Sequence, residues 1–597
     1  MIADLRAFIE ILRREGEIID IDVEVRPHLE VAEIHRRVIA AGGPALLFHR
    51  VQDSDGALVT NLFGTKRRVD LAFGQHAEKT IAELSRLPEE LMPPSLGKLW
   101  GKRGLWRRLA KVGLSRSRRA PVAEVVQSEP KLTRLPALTT WPEDGGPFIT
   151  LPLVYTEHPE TKGHNLGMYR AQIFNDRETG MHFQIGKGGG HHLAVAEAKG
   201  EALPAAIIIG GPPALILGAI APLPENVPEL MLASLVLGKK IAMLDRGPHQ
   251  LAVPANAEYV LSGEIPAGLR QPEGPFGDHY GYYSLRHDYP VFRCAELLKR
   301  KDAIFPATVV GKPRQEDFFI GDYLQEMLSP LFPVVMPQVI DLWSYGETGY
   351  HSLAAAVVRE RFGREAMAAA FRILGEGQLA LTKFLLVTDQ RVDLKDFAAT
   401  LECVLERADL RSDLYVFANL SMDTLDYTGP EVNLGSKGVL LGVGEKKRDL
   451  SREFKGPLPA GCSDLRVFCG GCLVVSGPSY EGDPAFAEVL TGSEGLADWP
   501  MVVLVDDAEK ATRSAVNFLW TTFTRFEPAA DMFTKSEAVL RHHRVFEAPL
   551  VIDARLKPNY PKELFADPET ASLVSRRWKE YFPAGLEMGD SDAAHLD

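Results

Sequence analysis

The 597-residue sequence predicts a soluble, multidomain protein of mixed α/β class. Three observations lead there. The chain is too long for one ordinary hydrophobic core, so roughly two to four domains are expected. Its two flanks alternate helical periodicity with short apolar strands, whereas the middle is β-rich and punctuated by Gly and Pro. Apolar residues at 45% and charged residues at 25% match the profile of a soluble globular protein.

Taken in order, Met1–Glu10 opens an amphipathic helix, with Leu5, Phe8, Ile9 and Leu12 on one face. No secretory signal is visible, so a cytoplasmic location is expected. A helix over His28–Ala40 precedes the Gly42-Gly43-Pro44 turn and a buried strand at Ala45–Phe48. The basic stretch Lys102–Arg119 carries Leu105, Leu109 and Val112 at helical spacing and reads as a solvated connecting helix that ends near Pro121. Ala202–Pro224 is uncharged, yet its five prolines and three glycines argue against a membrane span. Two buried strands around a Gly-Pro turn are expected there instead. Ala214–Ile220, Lys240–Leu244 and Ala307–Val310 all read as short strands with barrel-like punctuation. A helix runs through Asp322–Leu331, a strand through Lys383–Thr388 and a helix near Phe397–Ala408. Phe384–Asp389 with the helix after it resembles Val502–Asp507 with Ala515–Phe526, which suggests a duplicated α/β unit.

The net charge of −13 argues against a general nucleic-acid binder and fits poorly with docking to anionic membranes. A carboxylate ligand would therefore need a local positive site. Five cysteines form no disulfide framework, and Cys469 and Cys472, flanked by apolar strand residues, read as buried structural thiols.

Three segments carry chemistry. The first joins Asn165-Leu-Gly-Met-Tyr-Arg170 to His182-Phe-Gln184 and Lys187-Gly-Gly-Gly-His-His192. Asn, His and Lys there could ligate a metal or phosphate, and the glycines would admit a flat ligand; a Gly-rich hairpin with exposed His residues explains the pattern equally well. No Walker or GxGxxG motif is present. The second places Glu258 after Pro254-Ala-Asn-Ala, as a surface acid or a hard-metal ligand. The third, Pro272-Glu-Gly-Pro-Phe-Gly-Asp-His-Tyr-Gly-Tyr-Tyr283, sets Glu273 and Asp278 among aromatic rings. Desolvation there would raise a carboxyl pKa and let it hold a proton, while a nearby Arg would pull a neighbouring acid the other way.

In this order, and together with LRAFIEILRREGEI, GGPALLF, TNLFGTKRRV, TTWPEDGGPFIT and NLGSKG, these segments resemble the UbiD family of reversible decarboxylases over roughly residues 1–445. The resemblance implies an N-terminal α/β domain at 1–118 and a split β-barrel binding prenylated FMN at 119–315. It also implies a linker helix at 316–345 and a C-terminal α/β domain at 346–455, leaving an extension at 456–597. It implies Arg170, Glu273 and Asp278 as the catalytic set, with Asp278 the proton donor. Cofactor contacts would come from Met168, Tyr169, Arg170, His182, Phe183, Gln184, Lys187, Gly188 and Lys437. Asn165 and Glu258 match metal ligands for Mn2+ and K+. Gly186 stands where many relatives have a metal-binding His, so either His191 or His192 replaces it or the metal has one ligand fewer. A flavin prenyltransferase is the implied cofactor supplier, and a homo-oligomer acting on an aromatic or α,β-unsaturated carboxylic acid in quinone biosynthesis is implied. The alternatives are a catabolic aromatic-acid decarboxylase or carboxylase, and a flavin-binding paralogue without activity.

Overall fold

The structure is a computed structural model and describes residues 2–184, 188–223, 227–246, 250–312 and 314–591. It divides into two compact units, Met1–Leu328 with Glu563–Ala593, and Ser329–Lys562. Among the described residues no helix is long and apolar enough to cross a membrane.

The first unit opens with helix Leu5–Glu15, capped by the Asp4 carboxylate and buried through Leu5, Phe8, Ile9 and Leu12, the face the periodicity predicts. Helix Glu30–Ala40 and strand Ala45–Phe48 follow. The strand joins a four-stranded sheet with Ile18–Ile21, Ala57–Thr60 and Ile304–Pro306. The centre of the unit is an eight-stranded, largely antiparallel sheet whose long strand His287–Lys299 pairs with four others. Among the described residues its hydrogen-bonded path runs from Glu178–Gly180 to His164–Met168 without closing. One apolar core, from Ile21 through Val154, Ile207 and Leu261 to Trp578 and Tyr581, underlies both sheets.

Two strand expectations are corrected. Leu203–Ile209 is a strand, but Ala214–Ile220 is a helix. Gly210 and Gly211, at φ 76° and 110°, turn the chain, and Pro213 enters with helical φ. An all-apolar run of seven carries no period to tell the two apart. Ala307–Val310 lies just past strand Ile304–Pro306 and is irregular. The supposed Gly-rich hairpin is a helix, Gly188–Ala198, which places His191 and His192 in its first turn or so.

The second unit contains two five-stranded sheets. The first comprises, in chain order, Val339–Ser344, Leu353–Val358, Phe384–Thr388, Leu414–Ser421 and Leu434–Gly442. The second comprises Asp464–Cys469, Cys472–Ser476, Met501–Val505, Met532–Phe533 and Leu550–Asp553. In both, the spatial order is first, second, third, fifth, fourth. In both, the three middle strands are parallel and the outer pairs antiparallel. Cys469 and Cys472 face each other across the tight turn of the second sheet's first hairpin, as free, buried thiols.

Candidate active site

Arg170 follows strand His164–Met168, and Glu273 ends strand Arg270–Glu273. Asp278 follows Phe276–Gly277, the first arm of a hairpin whose second arm is Tyr283–Ser284. The fold brings these three residues together. Arg170 Nε donates to Glu273 Oε1 at 2.8 Å and Nη2 to Oε2 at 3.1 Å, a bidentate pair. Its Nη1 pairs with Asp278 Oδ2, and its guanidinium lies 4.6 Å from the centre of the Phe276 ring. All three side chains are at most 10% exposed.

Burial alone would push both carboxyls up. Arg170 and His182 outweigh it at Glu273, which falls to about 2. At Asp278 the His279 hydrogen bond and the Arg170 charge outweigh burial and hold the group well below the usual carboxylate range. The expectation of a raised carboxyl pKa is thus corrected: one guanidinium touches both acids, and the aromatic rings do not prevail.

Sequence reasoning missed several partners. His279 hydrogen-bonds Asp278 Oδ1 through Nδ1 at 2.6 Å and keeps 26% of its side chain exposed. Ser284 Oγ accepts from Arg170 Nη2 at 2.8 Å and from Phe276 N at 3.2 Å. Asp144 accepts from Gly277 N at 2.7 Å as well as from the backbone of Thr140 and Trp141, tying TTWPEDGG to the acid-bearing loop. Gln172 Oε1 accepts from Gly274 N at 2.8 Å. The only signal available for these was their place inside polar, Gly-rich motifs.

Several of the residues expected to contact a cofactor lie beside this cluster. Tyr169 and Phe183 pack edge to face at 4.9 Å, and the Tyr169 hydroxyl accepts from Gly189 N at 3.3 Å. His182 lies against Tyr289 and its Nδ1 sits 3.3 Å from Glu273 Oε2, leaving a buried Nε2 unpartnered. A Cβ on Gly188 would come within 2.1 Å of Asn165 Oδ1, so any larger residue there would displace the Asn165 side chain. Met168 ends its strand, whereas Tyr169, Arg170, His182, Phe183 and Gln184 lie outside strands. Lys187 and Gly186 lie outside the described residues. Lys437 belongs to the second unit, where its Nζ donates to Thr382 O at 2.9 Å and burial lowers its pKa to about 8.

The residues expected to bind metal are engaged otherwise. Glu258 is fully buried and accepts from Arg6 Nε and Nη2, Arg300 Nη1 and Ile304 N, each at 3.1 Å. His192 Nδ1 lies 2.9 Å from Thr156 Oγ1, opposite Asn165 in the neighbouring strand; its pKa falls to about 4, from burial and then His158. His191 is exposed. Among the described residues no three His, Cys, Asp or Glu side chains are grouped to hold a metal ion.

Comparison with known proteins follows the same layout. Models of 3-octaprenyl-4-hydroxybenzoate carboxy-lyase match an N-terminal domain at residues 9–87, a Rift-related domain at 114–313 and a C-terminal domain at 318–442. A protein of Chlamydia pneumoniae named as a component of 4-hydroxybenzoate decarboxylase is 50% identical over 579 residues, covering 97% of this chain and 98% of its own. An uncharacterised protein of Chlamydia trachomatis is 51% identical, covering 97% of this chain and 100% of its own. Among solved structures, vanillic acid decarboxylase of Sedimentibacter hydroxybenzoicus in its closed form superposes with a TM-score of 0.67 at 24% identity, covering 77% of this chain and 96% of that one. The UbiD-class enzyme HmfF of Pelotomaculum thermopropionicum, in complex with prFMN, gives 0.60 at 21% identity, with 75% and 96% covered. These structural likenesses speak for the fold. Three domain models matched in order, with relatives half identical over nearly the whole length, make this chain a member of the UbiD family of carboxy-lyases.

Proposed function

We propose that the chain is a non-oxidative decarboxylase of an aromatic or α,β-unsaturated carboxylic acid, working with prenylated FMN in the cytoplasm and serving quinone biosynthesis. The observation that carries this reading is a single buried guanidinium shared by two carboxylates, one of which reaches solvent through an imidazole.

One feature of the cradle fits the flavin: the unpartnered, buried His182 Nε2 calls for a ligand atom. Met168, Tyr169, Arg170, His182, Phe183, Gln184 and Gly188 would hold it, and the family resemblance adds Lys187 and Lys437. When bound, prenylated FMN supplies the electron sink that lets carbon dioxide leave. The protein supplies placement and the proton. A substrate carboxylate that engages Arg170 Nη1 releases Asp278 from its cation, while Glu273 keeps Nε and Nη2 aligned. Freed of that charge, Asp278 accepts a proton from solvent by way of His279 Nδ1. It then delivers the proton to the carbon that lost carbon dioxide, so one proton enters for each carbon dioxide released.

The same reading includes Mn2+ and K+ beside the cofactor, with Asn165, Glu258 and His191 or His192 as donors. These donors do not fit a dication as they stand, because Arg6 and Arg300 occupy both Glu258 oxygens. The domain division at 118, 315, 345 and 455 belongs to this reading too, supported by the matched family models and by the identical strand order of the two C-terminal sheets.

Co-expression with a flavin prenyltransferase, followed by mass spectrometry of bound flavin and a carbon-dioxide assay on a panel of acids, tests the proposal. Modified flavin together with turnover supports it. Unmodified flavin without turnover on any acid leaves the inactive paralogue. The name of the Chlamydia pneumoniae relative favours a second reading, a 4-hydroxybenzoate-type substrate outside quinone synthesis. Preference for the simple acid over its polyprenylated form would select it.

A further inference from the structure

The segment at Glu563–Leu564 returns to the first unit and lands on the loop that carries Asp278. Leu564 N donates to Gly281 O at 3.0 Å, and Glu563 forms an antiparallel bridge with Tyr282. The loop itself is closed by Asp278 N to Tyr282 O at 3.0 Å and Gly281 N to Asp278 O at 2.9 Å. The added backbone pairing therefore extends the same short hairpin that aims the Asp278 carboxylate at Arg170.

Side chains fix the segment from both sides. Leu564 is fully buried in a cluster with Trp141 and Tyr283. The Trp141 indole donates to Val310 O at 2.9 Å, and a Cβ on Gly277 would come within 2.0 Å of it, so Trp141 already packs under the hairpin. Glu563 pairs with Lys312, whose side chain is 2% exposed, and Lys312 also faces the Phe565 ring at 5.2 Å. Downstream, helix Pro568–Tyr581 is moored to helix Glu30–Ala40. Arg577 and Tyr581 both reach Glu30, and Arg37 Nη2 donates to Ala571 O at 3.0 Å.

We propose that Glu563–Leu564 is a strap that positions the Asp278 loop, with Leu564 a positioning residue for the proton-donating carboxylate. The proposal rests on the role given to Asp278 above. The matched family models end at residue 442, so they do not contain the strap. The C-terminal extension thereby contributes to the site of this chain. A flexible hairpin would let Asp278 drift from both Arg170 and the substrate carbon, and small displacements of a reacting group are costly.

The test compares wild type, Leu564→Ala and Leu564→Met as reconstituted holoenzymes, by amide hydrogen exchange and steady-state kinetics. In Leu564→Ala, exchange in residues 276–284 should quicken about tenfold while the strand Tyr259–Ile265 keeps its protection. In the same variant kcat should fall about tenfold with KM little changed, because binding is spared and proton delivery is not. Leu564→Met, which keeps the volume, should restore both. Unchanged exchange at 276–284 overturns the proposal, as does loosening that spreads to the central strand. A loosened loop with unchanged kcat overturns it as well. If wild type decarboxylates no acid, the enzymatic reading fails on its own, and hydrogen exchange still decides whether the strap holds the loop.

Discussion

Two of the arginine–carboxylate clusters in the first unit are built in opposite ways. At Arg170 one guanidinium serves two acids, and the cluster opens to solvent through His279. At Glu258 one acid serves two guanidiniums, with Asp4 completing the set through Arg300 at 3.1 Å and a backbone N–H filling the remaining acceptor. In the mechanism proposed above, the first arrangement leaves an acid whose cation a substrate can borrow. The second is saturated, and it latches the N-terminal helix to the strand after Arg300. Burial and ion pairing alone do not mark a catalytic group.

Substitutions should separate the two. Asp278→Asn is expected to lower kcat by about a thousandfold while bound flavin stays constant, measured by turnover and absorbance. Full activity in that variant removes the proton-donor assignment. Glu258→Gln leaves Arg300 and the partly exposed Arg6 beside a neutral group and should lower stability by about 2 kcal/mol in urea unfolding. If the saturated cluster is a latch, the pH dependence of kcat in that variant should match wild type. A shifted profile would mean that the two clusters are not independent.

His279→Asn should cost about tenfold to a hundredfold in kcat, with partial recovery on adding imidazole, since a small base can carry the proton instead. Absence of rescue would reduce His279 to a packing contact. The smallest effect concerns acid stability. Glu273 has its folded pKa lowered to about 2, so it contributes stability in full above its unfolded value of about 4.3. That contribution is lost as pH falls from there through about 2. Glu273→Gln should flatten this part of the acid-unfolding curve, and an unchanged slope would show that other carboxylates carry it.

Local elements with a clear period were legible in the sequence. Helix Leu5–Glu15 buries the predicted face, and strand Ala45–Phe48 falls where expected. Ala214–Ile220 was not legible, because a wholly apolar segment fits a strand or a helix equally and the preceding glycine turn with its two prolines decided it. Arg170, Glu273 and Asp278 were found as a set. The direction of their pKa shifts was not, since it depends on which charge touches which, over distances that sequence spacing does not encode.

The sequence by itself determined the family, the mixed α/β class and the presence of an arginine and two acids in two separate polar, Gly-rich motifs. Their motifs are local, and local chemistry survives in one dimension. Only the tertiary structure decided that His279 reaches solvent beside Asp278 and that Glu258 is claimed by Arg6 and Arg300. It alone brought Leu564 back to Gly281. The Glu258–Arg6 and Leu564–Gly281 contacts join residues far apart in the chain through packing. Such contacts leave no periodicity behind, because the free energy that selects them arises only when the chain has closed around them.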